Sequence, residues 1–122
     1  MENSIKFATD VLGYKWDAGQ ASRVGQIKAV RNSLVNFSEI DMCGFHNSVN
    51  SECYSVESPD GIVPASAAGK TVLRYSDTGI SAGVGYEGNG YKVMSLGFPI
   101  ETLKSKEDIE KIINITLEFF KK

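Results

Sequence analysis

The alternation of apolar and polar residues predicts a β-hairpin over residues 80–98. Its first strand places four residues on one face: Ile80, Ala82, Val84 and Tyr86. This is the period of a half-buried strand. A turn over residues 87–90 ends in Asn-Gly, a pair that adopts the positive φ values of tight hairpin turns. Residues 91–98 return as the partner strand, so this part of the sheet is predicted to be antiparallel.

A helical period near the end of the chain predicts an amphipathic C-terminal helix. Its apolar stripe consists of Ile109, Ile112, Ile113, Thr116, Leu117 and Phe120. Residues at this spacing share one side of a helix. Ser105 can cap the first turn, where the acidic Glu107 and Asp108 suit the helix dipole. We therefore expect the whole stripe to be buried.

A shorter helix is predicted at the N-terminus. Apolar residues recur at helical spacing up to Leu12, and Gly13 can end the helix in a left-handed conformation. Strand patterns between the two helices cover Val24–Val30, Phe37–Ile40, Tyr54–Val56 and Thr71–Tyr75. Ser58–Gly61 has the composition of a turn. This order predicts an α+β fold with a mostly antiparallel sheet.

Length and charge narrow the class of protein. The chain has 122 residues, with 13 Lys and Arg against 15 Asp and Glu, and a formal net charge of −2. The length fits a single domain, residues 1–122, or the C-terminal portion of a larger domain. The lack of net basic charge argues against nucleic-acid binding. No run of about 18 apolar residues predicts a membrane span, and Met1–Ser4 lack the features of a signal peptide.

Asp77-Thr78-Gly79 is the motif that most directly suggests catalysis. It resembles the D-T-G triplet of retroviral-type aspartic proteases, whose subunits have a similar length and act as homodimers. In that family two carboxylates, one from each subunit, share a proton and activate a water molecule. The triplet lies late in this chain and follows Tyr75-Ser76 rather than an apolar run. A turn between two strands is the other interpretation.

Cys43, His46 and Cys53 lie close together in the sequence. The two cysteines either form one disulfide in an oxidising compartment or remain buried thiols. A Cys-His pair can produce a thiolate nucleophile where the two side chains meet, whereas a His in an Asn- and Ser-rich loop is typically exposed. The spacing of the three residues fits no familiar zinc pattern, so no metal is expected.

Two glycine motifs are similar to phosphate-binding loops. Residues 83–88 fit G-x-G-x-x-G, and Gly69-Lys70-Thr71 matches the end of a P-loop. Both motifs require a helix directly after the glycines, because its N-terminus holds the phosphate. Strand patterns follow both of them here, so no nucleotide or other cofactor is expected.

A further pattern joins Thr71–Tyr75, the hairpin, the phrase Leu-Gly-Phe-Pro-Ile-Glu-Thr at residues 96–102 and a closing helix. This succession resembles the last part of a glutamine-amidotransferase-like domain of large secreted bacterial proteins, often labelled xanthan-lyase-like. The likeness covers most of the chain, loosely before Tyr54 and more tightly from Val56 onward.

The resemblance implies a flavodoxin-like core whose earlier βα units would precede Met1. Those units would also hold the position of an amidotransferase nucleophile. Neither Cys43 nor Cys53 lies on the sharp strand-to-helix turn that such a nucleophile requires. The resemblance therefore implies a C-terminal portion without a catalytic centre of its own.

We expect a non-catalytic structural or binding module of a secreted or envelope-associated bacterial protein. Tyr86 and Tyr91 flank the hairpin turn and are the candidate contacts to a glycan or protein surface, because aromatic faces suit both. Cross-strand packing of the two tyrosines is the other interpretation. The alternative function is a homodimeric peptidase that uses Asp77. An unpaired sheet edge would favour self-association.

Overall fold

A computed structural model of the chain describes residues 2–31, 33–37, 40, 42–48, 50, 54–56 and 58–122. Within these residues, seven strands lie along the chain between helices α1 (Glu2–Phe7) and α2 (Lys106–Lys121). The strands are β1 (Tyr14–Ala18), β2 (Gln26–Ala29), β3 (Met42–Gly44), β4 (Gly61–Pro64), β5 (Gly69–Tyr75), β6 (Ser81–Gly88) and β7 (Tyr91–Leu96). A π-helical turn, Ala8–Leu12, follows α1, and a 3₁₀ turn, Ile100–Thr102, precedes α2.

The strands form a five-stranded antiparallel sheet in the order β3-β2-β5-β6-β7. A separate antiparallel ribbon pairs β1 with β4, and β4 lies against β6. The predicted α+β fold with a mostly antiparallel sheet is therefore confirmed.

The hairpin is present where the alternation placed it. Asn89 and Gly90 have φ values of 53° and 83°, and Gly88 pairs with Tyr91 on either side of this two-residue loop. Positive φ at both loop positions matches the right-handed twist of the strands. The turn is shorter than predicted, because Glu87 and Gly88 belong to β6. All three glycines of the G-x-G-x-x-G motif thus lie in β6, including Gly88, which was predicted in the turn.

The two helices end and begin as the sequence indicates. Gly13 is left-handed, with φ of 80°, at the end of the N-terminal helical segment, which consists of α1 and the π-helical turn (residues 2–12). At the start of α2 the hydroxyl of Ser105 accepts a hydrogen bond from the Asp108 N–H at 3.4 Å. Both are local devices that satisfy backbone groups left unpaired at a helix end.

The core lies between the sheet and α2 and contains an aromatic cluster. Phe45 stacks on Phe98 with ring centroids 5.4 Å apart, and Tyr75 packs edge-on against both rings. Ile112 and Phe119 of α2 are buried in the same core.

The predicted stripe of α2 is only partly buried. Ile112 is 1% exposed, but Ile113, Leu117 and Phe120 are 43–48% exposed, and the buried Phe119 was not predicted. The sheet covers a narrower arc of the helix than the full apolar pattern spans, so the prediction of a wholly buried stripe is wrong.

The middle of the chain departs most from the expectation. Phe37, Ile40 and Tyr54–Val56 lie outside the strands, and Ser58–Gly61 is not a turn. Instead the Asp60 N–H donates to the Gly97 carbonyl, and Gly61 begins β4. The predicted alternation there covers too few residues to specify pairing, and long-range partners decide the conformation.

Candidate functional site

Asp77 lies in the turn between β5 and β6 and binds a distant loop. One carboxylate oxygen accepts from the Ser22 hydroxyl at 2.7 Å. The other accepts from the backbone N–H groups of Arg23 at 2.8 Å and Val24 at 3.4 Å. The carboxylate therefore connects the loop before β2 to the β5–β6 turn.

The rest of the triplet strengthens the same connection. The Thr78 hydroxyl donates to the Ala21 carbonyl at 2.6 Å and accepts from the Ile80 N–H at 3.2 Å. Gly79 has φ of 76°, and its N–H donates to the Tyr75 carbonyl. The structure thus gives all three residues of Asp77-Thr78-Gly79 turn roles.

The surroundings of Asp77 keep its carboxylate ionised. Partial desolvation acts to raise its pKa, but the hydrogen bonds from Arg23, Ser22 and Val24 outweigh it and hold the pKa below the ordinary value. Shared-aspartate catalysis requires one carboxyl of the pair to keep a proton. A carboxylate whose two oxygens accept three hydrogen bonds within its own chain suits a structural role better.

Replacing Asp77 with Asn is expected to lower the free energy of unfolding by about 1 kcal/mol at pH 7, since the neutral amide has one acceptor oxygen in place of the two that accept from the Ser22 hydroxyl and from the loop N–H groups. Because folding lowers the pKa of Asp77, its contribution is fully present above the pKa of the unfolded chain and is lost as the pH falls through the lower pKa of the folded protein. Urea unfolding at pH 7 and pH 3 should show a smaller difference between the two proteins in acid. Asp10→Asn, at an exposed acid, is the control. Equal stability of Asp77→Asn and the parent at pH 7 would contradict this role.

Cys43 is a buried thiol in β3. Burial, followed by the nearby charge of Asp108, raises the pKa of Cys43 to about 12. The thiol is therefore protonated at neutral pH and a poor nucleophile. Cys53 lies outside the described residues, so the disulfide between these cysteines stays a prediction. The His46 backbone N–H donates to the Thr102 carbonyl.

Tyr86 and Tyr91 pack against each other across the hairpin, with ring centroids 5.5 Å apart. Tyr86 is 6% exposed, and its hydroxyl accepts from the Asn89 amide at 2.9 Å. The Tyr91 hydroxyl donates to the Val11 carbonyl at 2.7 Å. These contacts favour the packing interpretation, because the rings hold the hairpin tip against the N-terminal helical segment.

Trp16, on β1, is the most exposed large apolar side chain of the described residues, at 63%. Its indole Nε1–H donates to the Asp60 carboxylate at 3.3 Å. Asp60 is itself held in place, because its N–H donates to the Gly97 carbonyl and its carbonyl accepts from the Tyr75 hydroxyl at 2.6 Å. Burial, with a smaller effect of the Asp60 charge, raises the pKa of Tyr75, so the hydroxyl remains a donor. Tyr75 and Gly97 therefore hold Asp60 in place, and Asp60 in turn orients the exposed indole of Trp16.

The indole borders a cleft of about 440 Å³ between the N-terminal helical segment and β1. Its lining residues are Ile5, Ala8, Thr9, Tyr14, Lys15, Trp16, Asp60, Ile62, Leu96 and Gly97. An apolar concavity of this size with a few polar groups at its rim is typical of a binding site. The sequence pattern did not predict this site. The available signal was one tryptophan in a polar segment, Lys15-Trp16-Asp17.

The described residues also bear on metal binding and on membrane insertion. The described residues contain no group of three or more His, Cys, Asp and Glu side chains placed to hold a metal ion. None of the helices in this part of the chain is both long and apolar enough to cross a membrane.

Comparison of the chain with protein-family models, with curated proteins and with solved structures gives no match.

Proposed function

We propose that the chain is a non-catalytic structural or binding module of a secreted or envelope-associated bacterial protein, and that it contacts glycan or protein through the Trp16 cleft. The observation that carries this proposal is an indole that is exposed but hydrogen-bonded in a defined orientation. A pre-organised aromatic face loses little conformational entropy when a partner covers it. Its flat surface suits a sugar ring or an apolar side chain.

The engagement of the other candidate groups supports a binding role over a catalytic one. Asp77 accepts three hydrogen bonds from its own chain, and burial raises the pKa of Cys43. We also propose that the chain is related to the last part of an amidotransferase-like domain.

A further part of the proposal is self-association through a sheet edge. The outer strands of the five-stranded sheet, β3 and β7, are the candidate edges.

The only tryptophan of the chain reports directly on the cleft. A bound ligand should shift the Trp16 emission to shorter wavelength and reduce its quenching by acrylamide. Suitable probes are neutral and acidic oligosaccharides and, separately, a library of peptides with apolar side chains. Isothermal titration calorimetry, which does not need the indole, should show that Trp16→Ala binds any ligand found more weakly by about 2 kcal/mol, or roughly thirtyfold.

Met42→Ala is the matched control, since Met42 is 51% exposed on β3 and should leave affinity unchanged. Binding that Trp16→Ala and Met42→Ala affect equally would contradict the cleft as the contact surface. The absence of any spectral response to both classes of probe would contradict the binding function.

The peptidase hypothesis based on Asp77 stays a prediction with its own test. Acid-optimum activity between pH 3 and 7 that disappears in Asp77→Asn, while the fold persists, would establish it. A lack of peptidase activity in the parent chain would dismiss it. The measurement uses the variant described above, so stability and activity are obtained from one protein.

A further inference from the structure

Four cations lie on β2 and β5 and in the turn that follows β2. Lys28 lies directly opposite Arg74 in the antiparallel register of these strands. Arg31 and Lys70 line, together with Arg74, an open hollow of about 650 Å³. Lys28, Arg31 and Lys70 are exposed and Arg74 is half-buried. We call these four residues the basic face.

Among the residues that the structure describes, no carboxylate forms an ion pair with the basic face. The ion pairs in the described part of the chain involve Lys92 and Lys111 instead. The other residues that line the hollow are uncharged: Val30, Ser33, Leu34, Pro64, Gly69 and Thr71. Arg74 uses one of its N–H groups on the Gly79 carbonyl at 3.0 Å, which leaves the remaining donors for a ligand.

This arrangement opposes the stability of the sheet. Like charges directly opposite each other on neighbouring strands are destabilising, and Lys28 and Arg74 form such a pair. A chain with an overall charge of −2 also has enough acidic residues to balance four cations. A local arrangement that costs stability without a compensating contact is typical of a functional site. An anionic ligand would supply the missing contact.

We propose that the basic face binds an acidic polysaccharide, a polymer of sugars that carry carboxylate groups. The hollow of the basic face shares no lining residue with the Trp16 cleft, so this is a second contact surface that goes beyond the proposed function. Lys70 and Arg74 lie four residues apart on β5, about 13 Å along the strand. The charges therefore extend beyond the size of one small anion and suit carboxylates on successive sugars. Four cations are fewer than the roughly six to ten phosphate contacts of a typical DNA-binding surface.

The test measures the affinity of the full chain for polygalacturonate at low and physiological salt, with neutral dextran and duplex DNA as comparison ligands. The double variant Arg31→Gln/Lys70→Gln should bind polygalacturonate about tenfold more weakly and with a smaller salt dependence. Its matched control, Lys121→Gln/Lys122→Gln, removes two charges at the end of α2 and should bind like the parent. Thermal unfolding of both variants checks that the fold is retained.

Each outcome decides the proposal. Selective binding of polygalacturonate that requires Arg31 and Lys70 supports it. Binding that both double variants weaken equally would identify a non-specific polyanion surface and overturn the proposal. Equal affinity for polygalacturonate and for duplex DNA with the same number of charges would overturn it in the same way. If polygalacturonate does not bind but another ligand changes the Trp16 emission, the basic-face proposal fails and the proposed binding function stands. If neither response occurs, both fail.

Discussion

Phe45→Ala should lower the free energy of unfolding by about 3–5 kcal/mol, the usual loss when a fully buried phenylalanine is removed from a core. Phe45 has no exposed surface and contacts the rings of both Tyr75 and Phe98. Its removal leaves a cavity that the rings of Tyr75 and Phe98 cannot fill without moving. Because small domains are stable by only about 5–15 kcal/mol, the variant is expected to be partly unfolded at moderate urea concentrations.

The matched control is Phe120→Ala, since this ring is 46% exposed on α2. Urea unfolding followed by far-UV circular dichroism should give a change below about 1 kcal/mol for Phe120→Ala. Similar losses for the two variants would show that the aromatic cluster is not the centre of the core. A larger loss for Phe120→Ala would indicate that the exposed side of α2 is covered in solution.

The elements that could be predicted are those that local chemistry specifies. The hairpin needs only period-two alternation and an Asn-Gly loop, whose positive φ values fix the strand register. The ends of the helices depend on Gly13 and Ser105, which act on backbone groups a few residues away. In these places the sequence and the fold agree because no distant partner is required.

The elements that were missed depend on distant partners. β1 and β4 pair Trp16 with Ile62, and neither segment alternates for long enough to indicate a strand. In α2 the apolar pattern includes Ile113 and Leu117, but which part of the pattern is covered depends on where the sheet lies. Short segments with mixed patterning follow their tertiary context.

The candidate sites at Asp77 and Trp16 also depend on distant partners that the sequence could not predict. The D-T-G motif drew attention to Asp77, but its role depends on Ser22 and Val24, more than fifty residues earlier in the chain. Trp16 received no role from the sequence because its environment is assembled by Asp60, which is 44 residues away. A side chain type can be read from the sequence, whereas its partners require the fold.

Gly97 connects the core to the Trp16 cleft. Its carbonyl accepts from the Asp60 N–H and its own N–H donates to the Ala82 carbonyl. A Cβ added at Gly97 would overlap the Asp60 carbonyl oxygen and lie 2.9 Å from the Tyr75 hydroxyl. These neighbours are a backbone atom and a side chain fixed in the core, so neither can withdraw easily.

Gly97→Ala is therefore expected to destabilise the fold by about 2–3 kcal/mol, at the upper end of typical overpacking losses. It should also displace Asp60 and so release the indole of Trp16, which increases acrylamide quenching in the folded protein. Gly44→Ala is the matched control, because a Cβ at Gly44 in β3 has no neighbour closer than 3.8 Å. Urea unfolding and fluorescence quenching should distinguish the two variants clearly. If Gly97→Ala loses stability while the quenching of Trp16 is unchanged, the indole is not orientated through Asp60, and the pre-organisation of the cleft must have another origin.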